Sequence, residues 1–320
     1  MWSEIVSKVF KPLIVIVLAT MVLGLSACTS SPSPSSAPTT TKPHPPPVPI
    51  IKVPVSVANT SDGQVSFRET GYGTPLVMIM GFSGSMDAWT PDFIDALAQH
   101  FRVIIFDNAG IGKTTMPSGK FTMDTMARQT DALIHSLNLG KPDVLGWSMG
   151  GMIAQDLAAT YPDDVNKLVL CATLPGNGKA TLPPASVVSK LGNPSASQVL
   201  TMMGLIFPAD QPNAASNYIH QIVEYPNFYI ADTAVNQDQL DALGLWSLGG
   251  MSSGKAISSV KAPTLIADGE DDLLIPTPNA YELHSVLKNS QVLLYPDAGH
   301  AFLFQDQNQF APSLISFLNS

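Results

Sequence analysis

Cysteine is nearly absent from this 320-residue chain, which has only Cys28 and Cys171. With Cys28 beside the N-terminus, Cys171 has no partner for an internal disulfide, so a disulfide-stapled scaffold is excluded. Charge is also scarce: 13% of residues are charged, against 45% hydrophobic, and the formal net charge is −9. No Lys/Arg cluster interrupts that acidity, so the electrostatic footprint of a nucleic-acid partner is missing. The Cys and His residues show no zinc-ligand spacing, and no glycine-rich phosphate loop appears. Neither a metal nor an organic cofactor is therefore expected.

Long apolar runs are missing too. The first stretch, Leu13 to Leu25, falls short of the roughly 20 residues a spanning helix needs. Lys8 and Lys11 precede it, and it ends in Leu25-Ser26-Ala27-Cys28. A positive start, a short apolar middle and a small-residue end form an export signal over residues 1–27. Leu25-Ser26-Ala27-Cys28 also resembles the bacterial lipobox, which implies lipidation of Cys28 and anchoring to the outer face of the cell membrane. Several acyl chains on one residue would exceed the two-signal threshold for stable anchoring. A plain secretory signal is the alternative. Residues 28–49 are then a Pro/Ser/Thr-rich tether, extended because its prolines cannot enter hydrogen-bonded structure.

What remains is apolar enough to bury a large core as one catalytic domain. Short apolar strands are expected at Gln64–Glu69, Leu76–Met80, Arg102–Phe106, Val144-Leu145, Lys167–Ala172, Thr264–Ala267 and Gln291–Tyr295. The later ones lack alternation, as parallel strands covered on both faces do. Helical spacing appears at Met123–Leu139, Gly150–Tyr161, Pro278–Leu287 and Gln309–Leu318. Strand–helix alternation of this kind gives a doubly wound α/β sheet. Cys171 falls in one of the apolar strands and reads as a buried packing residue. The alternation breaks from 174 to 262, far longer than an ordinary loop. Helix-like pieces at Ala196–Phe207, Ala214–Glu224 and Gln237–Leu245 make that segment an inserted cap on a core of residues 50–173 and 263–320.

The chemistry-bearing pattern is Gly146-Trp147-Ser148-Met149-Gly150. It follows a strand and opens a helix, the setting of a nucleophile elbow. Small neighbours let strand and helix approach, and the helix N-terminus directs its free N–H groups toward a reacting oxygen. A serine nucleophile needs a base, and the base an orienting carboxylate. Downstream histidines are His220, His284 and His300. His300 sits in Asp297-Ala298-Gly299-His300 just after a strand, at the carboxyl edge of the sheet where ligands bind in open α/β folds. Several carboxylates crowd Asp268-Gly269-Glu270-Asp271-Asp272, and Asp271 and Asp272 both qualify as the acid.

From about Gln64 to the C-terminus the chain resembles the α/β-hydrolase superfamily, in its capped branch of esterases, haloperoxidase-like hydrolases and carbon–carbon bond hydrolases. The resemblance rests on Met80-Gly81-Phe82, Asp107-Asn108-Ala109-Gly110-Ile111-Gly112, Gly146-Trp147-Ser148-Met149-Gly150-Gly151, Gly269-Glu270-Asp271-Asp272 and Gly299-His300. It implies a Ser148–Asp272–His300 triad, with the backbone N–H groups of Phe82 and Met149 as the oxyanion hole. Met80 stands where many relatives have His, a change without consequence for a backbone donor. Ala109 and Thr114 depart from the family's Asp-x-Arg-Gly-x-Gly-x-Ser, which loosens the link to a substrate class. The expected activity is hydrolysis of a carboxylic ester or related small-molecule acyl substrate. Other acyl-transfer, carbon–carbon or peptide hydrolysis, haloperoxidase-like chemistry and an idle surface-binding fold are the alternatives. An apolar cap bearing Met202, Met203, Leu205, Ile206, Phe207, Phe228, Tyr229 and Trp246 suits a hydrophobic ligand, or simply buries the cap.

Overall fold

The computed structural model describes residues 44–190, 196–226, 228–229 and 231–320. The expected signal, Cys28 and most of the tether lie outside the described residues. The fold is an eight-stranded sheet in the order β1-β2-β4-β3-β5-β6-β7-β8. Its strands are β1 (Ser56–Thr60), β2 (Gly63–Thr70), β3 (Pro75–Ile79), β4 (Arg102–Phe106), β5 (Asp143–Trp147), β6 (Leu168–Cys171), β7 (Thr264–Gly269) and β8 (Ser290–Tyr295). β2 runs antiparallel to β1 and β4, and every later pairing is parallel. The central strands β5, β6 and β7 are buried at every position. That burial is why their sequences are continuously apolar rather than alternating. Cys171 ends β6 as a free, buried thiol. Burial pushes its pKa well up, so it is inert packing.

Helices α1 (Pro91–Ala98), α2 (Met123–Ser136) and α3 (Met149–Thr160) cover the first half of the sheet. Thr122 caps α2 by accepting from the Thr125 N–H, and the Thr125 hydroxyl oxygen accepts from the Thr122 N–H in return. α3 is buried along almost its whole length, its first ten residues included, as a helix wedged between sheet and cap must be. Between β6 and β7 the chain leaves the sheet for a helical insertion with α4 (Ala196–Ile206), α5 (Pro212–Ile222) and α6 (Thr233–Ser247). α7 (Pro278–Val286) and α8 (Gln307–Asn319) complete the fold. Residues 46–320 form one compact unit, insertion included. Among the described residues no helix is long and apolar enough to cross a membrane.

The insertion is fastened to the core by polar contacts at its apolar interface. Tyr218 and Tyr225 donate their hydroxyls to the carbonyls of Ala88 and Trp89, both at 3.0 Å. Gln221 accepts the N–H of Asp92 at 3.2 Å. Leu205, Ile206, Phe207 and Trp246 are buried, whereas Met202, Met203 and Phe228 are half-buried and Tyr229 is exposed. Trp246 packs against Gly176, and its indole N–H donates to the Leu174 carbonyl, so it serves the cap's own architecture.

Candidate active site

Each expected site residue lies just beyond the carboxyl end of a strand: Phe82 after β3, Ser148 after β5, Asp272 after β7 and His300 after β8. Because β3 neighbours β5 and β7 neighbours β8, the four loops gather at one edge of the sheet, where open α/β folds place their ligands.

Ser148 sits between β5 and α3 with φ 57° and ψ −122°, half-buried. A non-glycine residue at positive φ is strained by about 1–3 kcal/mol, and it persists only where its surroundings over-determine it. Here both of its backbone groups are held. The Ser148 N–H donates to the Cys171 carbonyl at 2.8 Å, and its own carbonyl accepts from Thr173 Oγ1 at 2.8 Å. The flanking glycines supply clearance. A Cβ on Gly146 would lie 2.2 Å from the Gly150 carbonyl oxygen, and one on Gly150 would lie 2.0 Å from that of Ile79. On the other side Gly81 comes so close that its Cβ would stand 3.1 Å from Ser148 Cβ and 3.7 Å from Oγ. The Met80-Gly81-Phe82 segment therefore runs alongside the serine. Neither the Phe82 nor the Met149 N–H has a backbone acceptor among the described residues, and both remain available as donors.

Asp272 and His300 are brought together by the approach of two loops. The N–H groups of Glu270 and Asp271 donate to the carbonyls of Tyr295 and Ala298, both at 2.9 Å. A Cβ at Gly269 would lie 2.2 Å from the Ala298 oxygen, so only glycine permits that approach. Asp272 Oδ2 then meets His300 Nδ1 at 2.7 Å, with both side chains almost fully buried. Its other oxygen accepts the N–H groups of Leu274 and Ile275 at 2.7 and 2.8 Å. Asp271 points to solvent, so geometry distinguishes the two neighbouring acids. A bond at Nδ1 leaves Nε2 of the imidazole as the nitrogen free to take or give a proton. His220 and His284 are engaged elsewhere, at Ser216 and Ser290.

Two neighbours of this pair stand within the motifs read from the sequence, but their partners are visible only in the fold. Trp147 lies under the serine and donates its indole N–H to the His300 carbonyl at 3.0 Å, with the two rings 5.5 Å apart. Asp268, at the end of β7, is 1% exposed. Burial and the adjacent Asp272 carboxylate push its pKa well up. The Asp107 loop, with Ala109 and Thr114, is structural. Asp107 accepts from the Met86 N–H and the Ser66 hydroxyl, and Thr114 Oγ1 accepts from the Ser66 N–H. It reaches the site through Asn108, whose Nδ2 donates to the Met80 carbonyl at 2.7 Å. Among the described residues, one group could offer carboxylate and imidazole ligands to a metal: Asp131, His135 and Asp164. It lies on α2 and in the turn after α3, away from all four site loops.

A serine at a strained elbow, a buried carboxylate–imidazole pair and two free backbone donors can together carry out acyl transfer. Residues 74–307 match the family model described as the alpha/beta hydrolase fold. The chain belongs to the α/β hydrolase fold family. A poly(3-hydroxyalkanoate) depolymerase from Ectopseudomonas oleovorans is 30% identical over 255 residues, covering 77% of this chain and 84% of that protein. A protein described as the non-heme bromoperoxidase BpoC, from Mycobacterium tuberculosis, is 27% identical over 270 residues, covering 80% and 98%. Among solved structures, an alpha/beta hydrolase fold protein from Chitinophaga pinensis superposes with a TM-score of 0.73 at 23% identity, over 84% of this chain and 98% of its own. That last likeness is one of fold.

Proposed function

We propose that this α/β hydrolase is a serine ester hydrolase acting on a hydrophobic carboxylic ester. The observation that carries the reading is the buried 2.7 Å contact between Asp272 and His300, on loops that flank a serine held at positive φ. In the proposed mechanism His300 Nε2 takes the proton of Ser148 Oγ as that oxygen bonds to the ester carbonyl carbon. The carbonyl π electrons move to oxygen, which the Phe82 and Met149 N–H groups receive. Collapse of that adduct expels the alcohol, protonated by His300, and leaves an acyl-serine. Water then adds to the acyl carbon, giving a proton to His300, and the second collapse returns that proton to Ser148 and releases the acid. Asp272 stabilises the imidazolium throughout. Every atom is accounted for by ester, water and these side chains.

The choice of an ester is supported by the depolymerase relative, whose named substrate is a polyester, and by a cap whose buried face is aliphatic and aromatic. The proposal also places the enzyme outside the cytoplasmic membrane, tethered through a lipidated Cys28. The support is the Lys8/Lys11, apolar and Leu25-Ser26-Ala27-Cys28 sequence.

The test uses a soluble chain starting at Val48, with Ser148→Ala as its control, against p-nitrophenyl esters of increasing acyl length and a fluorophosphonate probe. Hydrolysis and labelling that vanish in Ser148→Ala are expected. A folded protein showing neither would refute the reading, while labelling without ester turnover would move it to another acyl substrate. In a bacterial host, labelled palmitate should enter the full chain and not its Cys28→Ala variant.

A further inference from the structure

The cap places a buried amide on the loop that carries Phe82. Gln239 of α6 is fully buried, and its Oε1 accepts the Ser83 N–H at 2.7 Å. A backbone N–H requires an acceptor, which orients the amide and leaves Nε2 without a hydrogen-bond partner among the described residues. The Ser83 carbonyl is held from the cap as well, accepting the Ala231 N–H at 3.1 Å. Ser83 has φ 63°, in the left-handed region that a residue with a Cβ rarely adopts. At the sheet end of the same loop, Asn108 grips the Met80 carbonyl. Met80–Ser83 is thus fixed from the core at one end and from the cap at the other. The unpartnered NH₂ is a liability that Met or Leu would avoid only by leaving the Ser83 N–H without its acceptor.

We infer that Gln239 is a positioning residue of the oxyanion hole, holding Ser83 in its left-handed conformation so that the Phe82 N–H faces the oxygen that develops at Ser148. The hole is then complete only with the cap seated. The inference rests on the ester-hydrolase reading above. Its physical basis is short-range. Met80 is anchored by Asn108, and beyond Gly84 the Met86 N–H is anchored on Asp107. Relaxation of Ser83 out of the left-handed region must therefore be absorbed by the peptide planes between those anchors, including the Gly81–Phe82 plane whose N–H is the donor.

The test compares wild type, Ser148→Ala and Gln239→Met, which keeps the side chain's length and removes its acceptor. For a p-nitrophenyl ester, kcat should fall about 10- to 100-fold in Gln239→Met, less than the roughly 10²–10³-fold of deleting an oxyanion donor outright. KM should stay within about threefold, the signature of an interaction made only in the transition state. Inhibition by an alkyl trifluoromethyl ketone, whose adduct carries the oxyanion, should weaken in parallel with kcat/KM, while binding of a non-hydrolysable ether analogue should not change. A folded variant with wild-type kcat overturns the inference, as does equal weakening of ketone and ether binding, which would mean a collapsed pocket. Amide exchange in the wild type needs no variant: Ser83 should be strongly protected, and fast exchange there overturns the inference. If the wild type has no Ser148-dependent hydrolysis, the ester reading falls and takes this inference with it. If the wild type is active and Gln239→Met equally so, only the inference falls.

Discussion

Replacing Trp147 with Phe tests whether the residue before the serine orders the His300 loop. The indole N–H donates to the His300 carbonyl at 3.0 Å, and the ring meets Phe304 edge-on at 5.2 Å and Trp89 at 6.1 Å. Phe keeps an aromatic face but deletes the donor, leaving a buried carbonyl unpaired at a cost of about 1–3 kcal/mol. The volume lost in this well-packed cluster adds roughly another 1 kcal/mol as residual cavity. A total of about 2–4 kcal/mol in a unit this large lowers Tm by roughly 4–10 °C. The catalytic effect should exceed what that loss of stability explains, because misplacing a reacting group by about 1 Å can cost on the order of 10²-fold. We expect kcat/KM for a p-nitrophenyl ester to fall about 10- to 100-fold at a temperature where the variant is fully folded. Thermal unfolding and steady-state kinetics on the same sample give both numbers. Unchanged Tm and unchanged kcat would refute the reasoning. A lowered Tm with wild-type kinetics would reduce Trp147 to packing.

Gly150→Ala should abolish both soluble folding and activity. Its Cβ would lie 2.0 Å from the Ile79 carbonyl oxygen, and accommodating it shifts the end of β3 together with Phe82; expression and unfolding measurements decide, and a stable, active variant contradicts the geometry. Asp156→Asn should stabilise the protein above neutral pH. Burial raises the Asp156 pKa from 3.8 to about 6, so the folded state holds the proton more tightly than the unfolded chain. The group's contribution is fully present below about pH 4 and is lost as pH rises through 6, an effect on the order of 2–3 kcal/mol. Unfolding measured from pH 4 to 8 should show that decline flattened in Asp156→Asn, and identical pH profiles would count against it.

The sheet was legible wherever a strand is buried on both faces. β4 has the expected bounds, and β7 runs two residues past the expected end; β8, with one buried residue of six, was found within one residue from its apolar run instead. β1 escaped notice because Ser-Val-Ala-Asn-Thr is an edge strand, four of whose five residues are not buried, so no core writes its pattern into the sequence. The helix Pro91–Ala98 escaped because it is short. At the site, the loops that carry Ser148 and His300 could be found because glycine turns after apolar strands are local features. The choice between Asp271 and Asp272 could not be made locally. It depends on which carboxylate turns inward when the β7 and β8 loops close on each other around Gly269.

Trp147, Asp268 and Gln239 mark where local reading ends. Each is an ordinary residue of its own element: an aromatic at the end of a strand, an acid in a crowded loop, an amide on a cap helix. Each acquires its place from a partner far along the chain or from burial: His300 for Trp147, Ser83 for Gln239, and for Asp268 a dry neighbourhood shared with Asp272. The two hydrogen-bonded contacts share a direction of influence. Trp147 ties the strand of the serine to the loop of the imidazole, and Gln239 ties the cap to the loop beside the serine. The Ala301 N–H donates to the Ile206 carbonyl of α4 at 2.9 Å, so the cap grips the imidazole loop too. A cap hydrogen-bonded to both sides of the site is more than a cover that selects substrates by shape. Displacing the cap would break both contacts at once, Gln239 on the loop beside the serine and Ile206 on the loop of the imidazole.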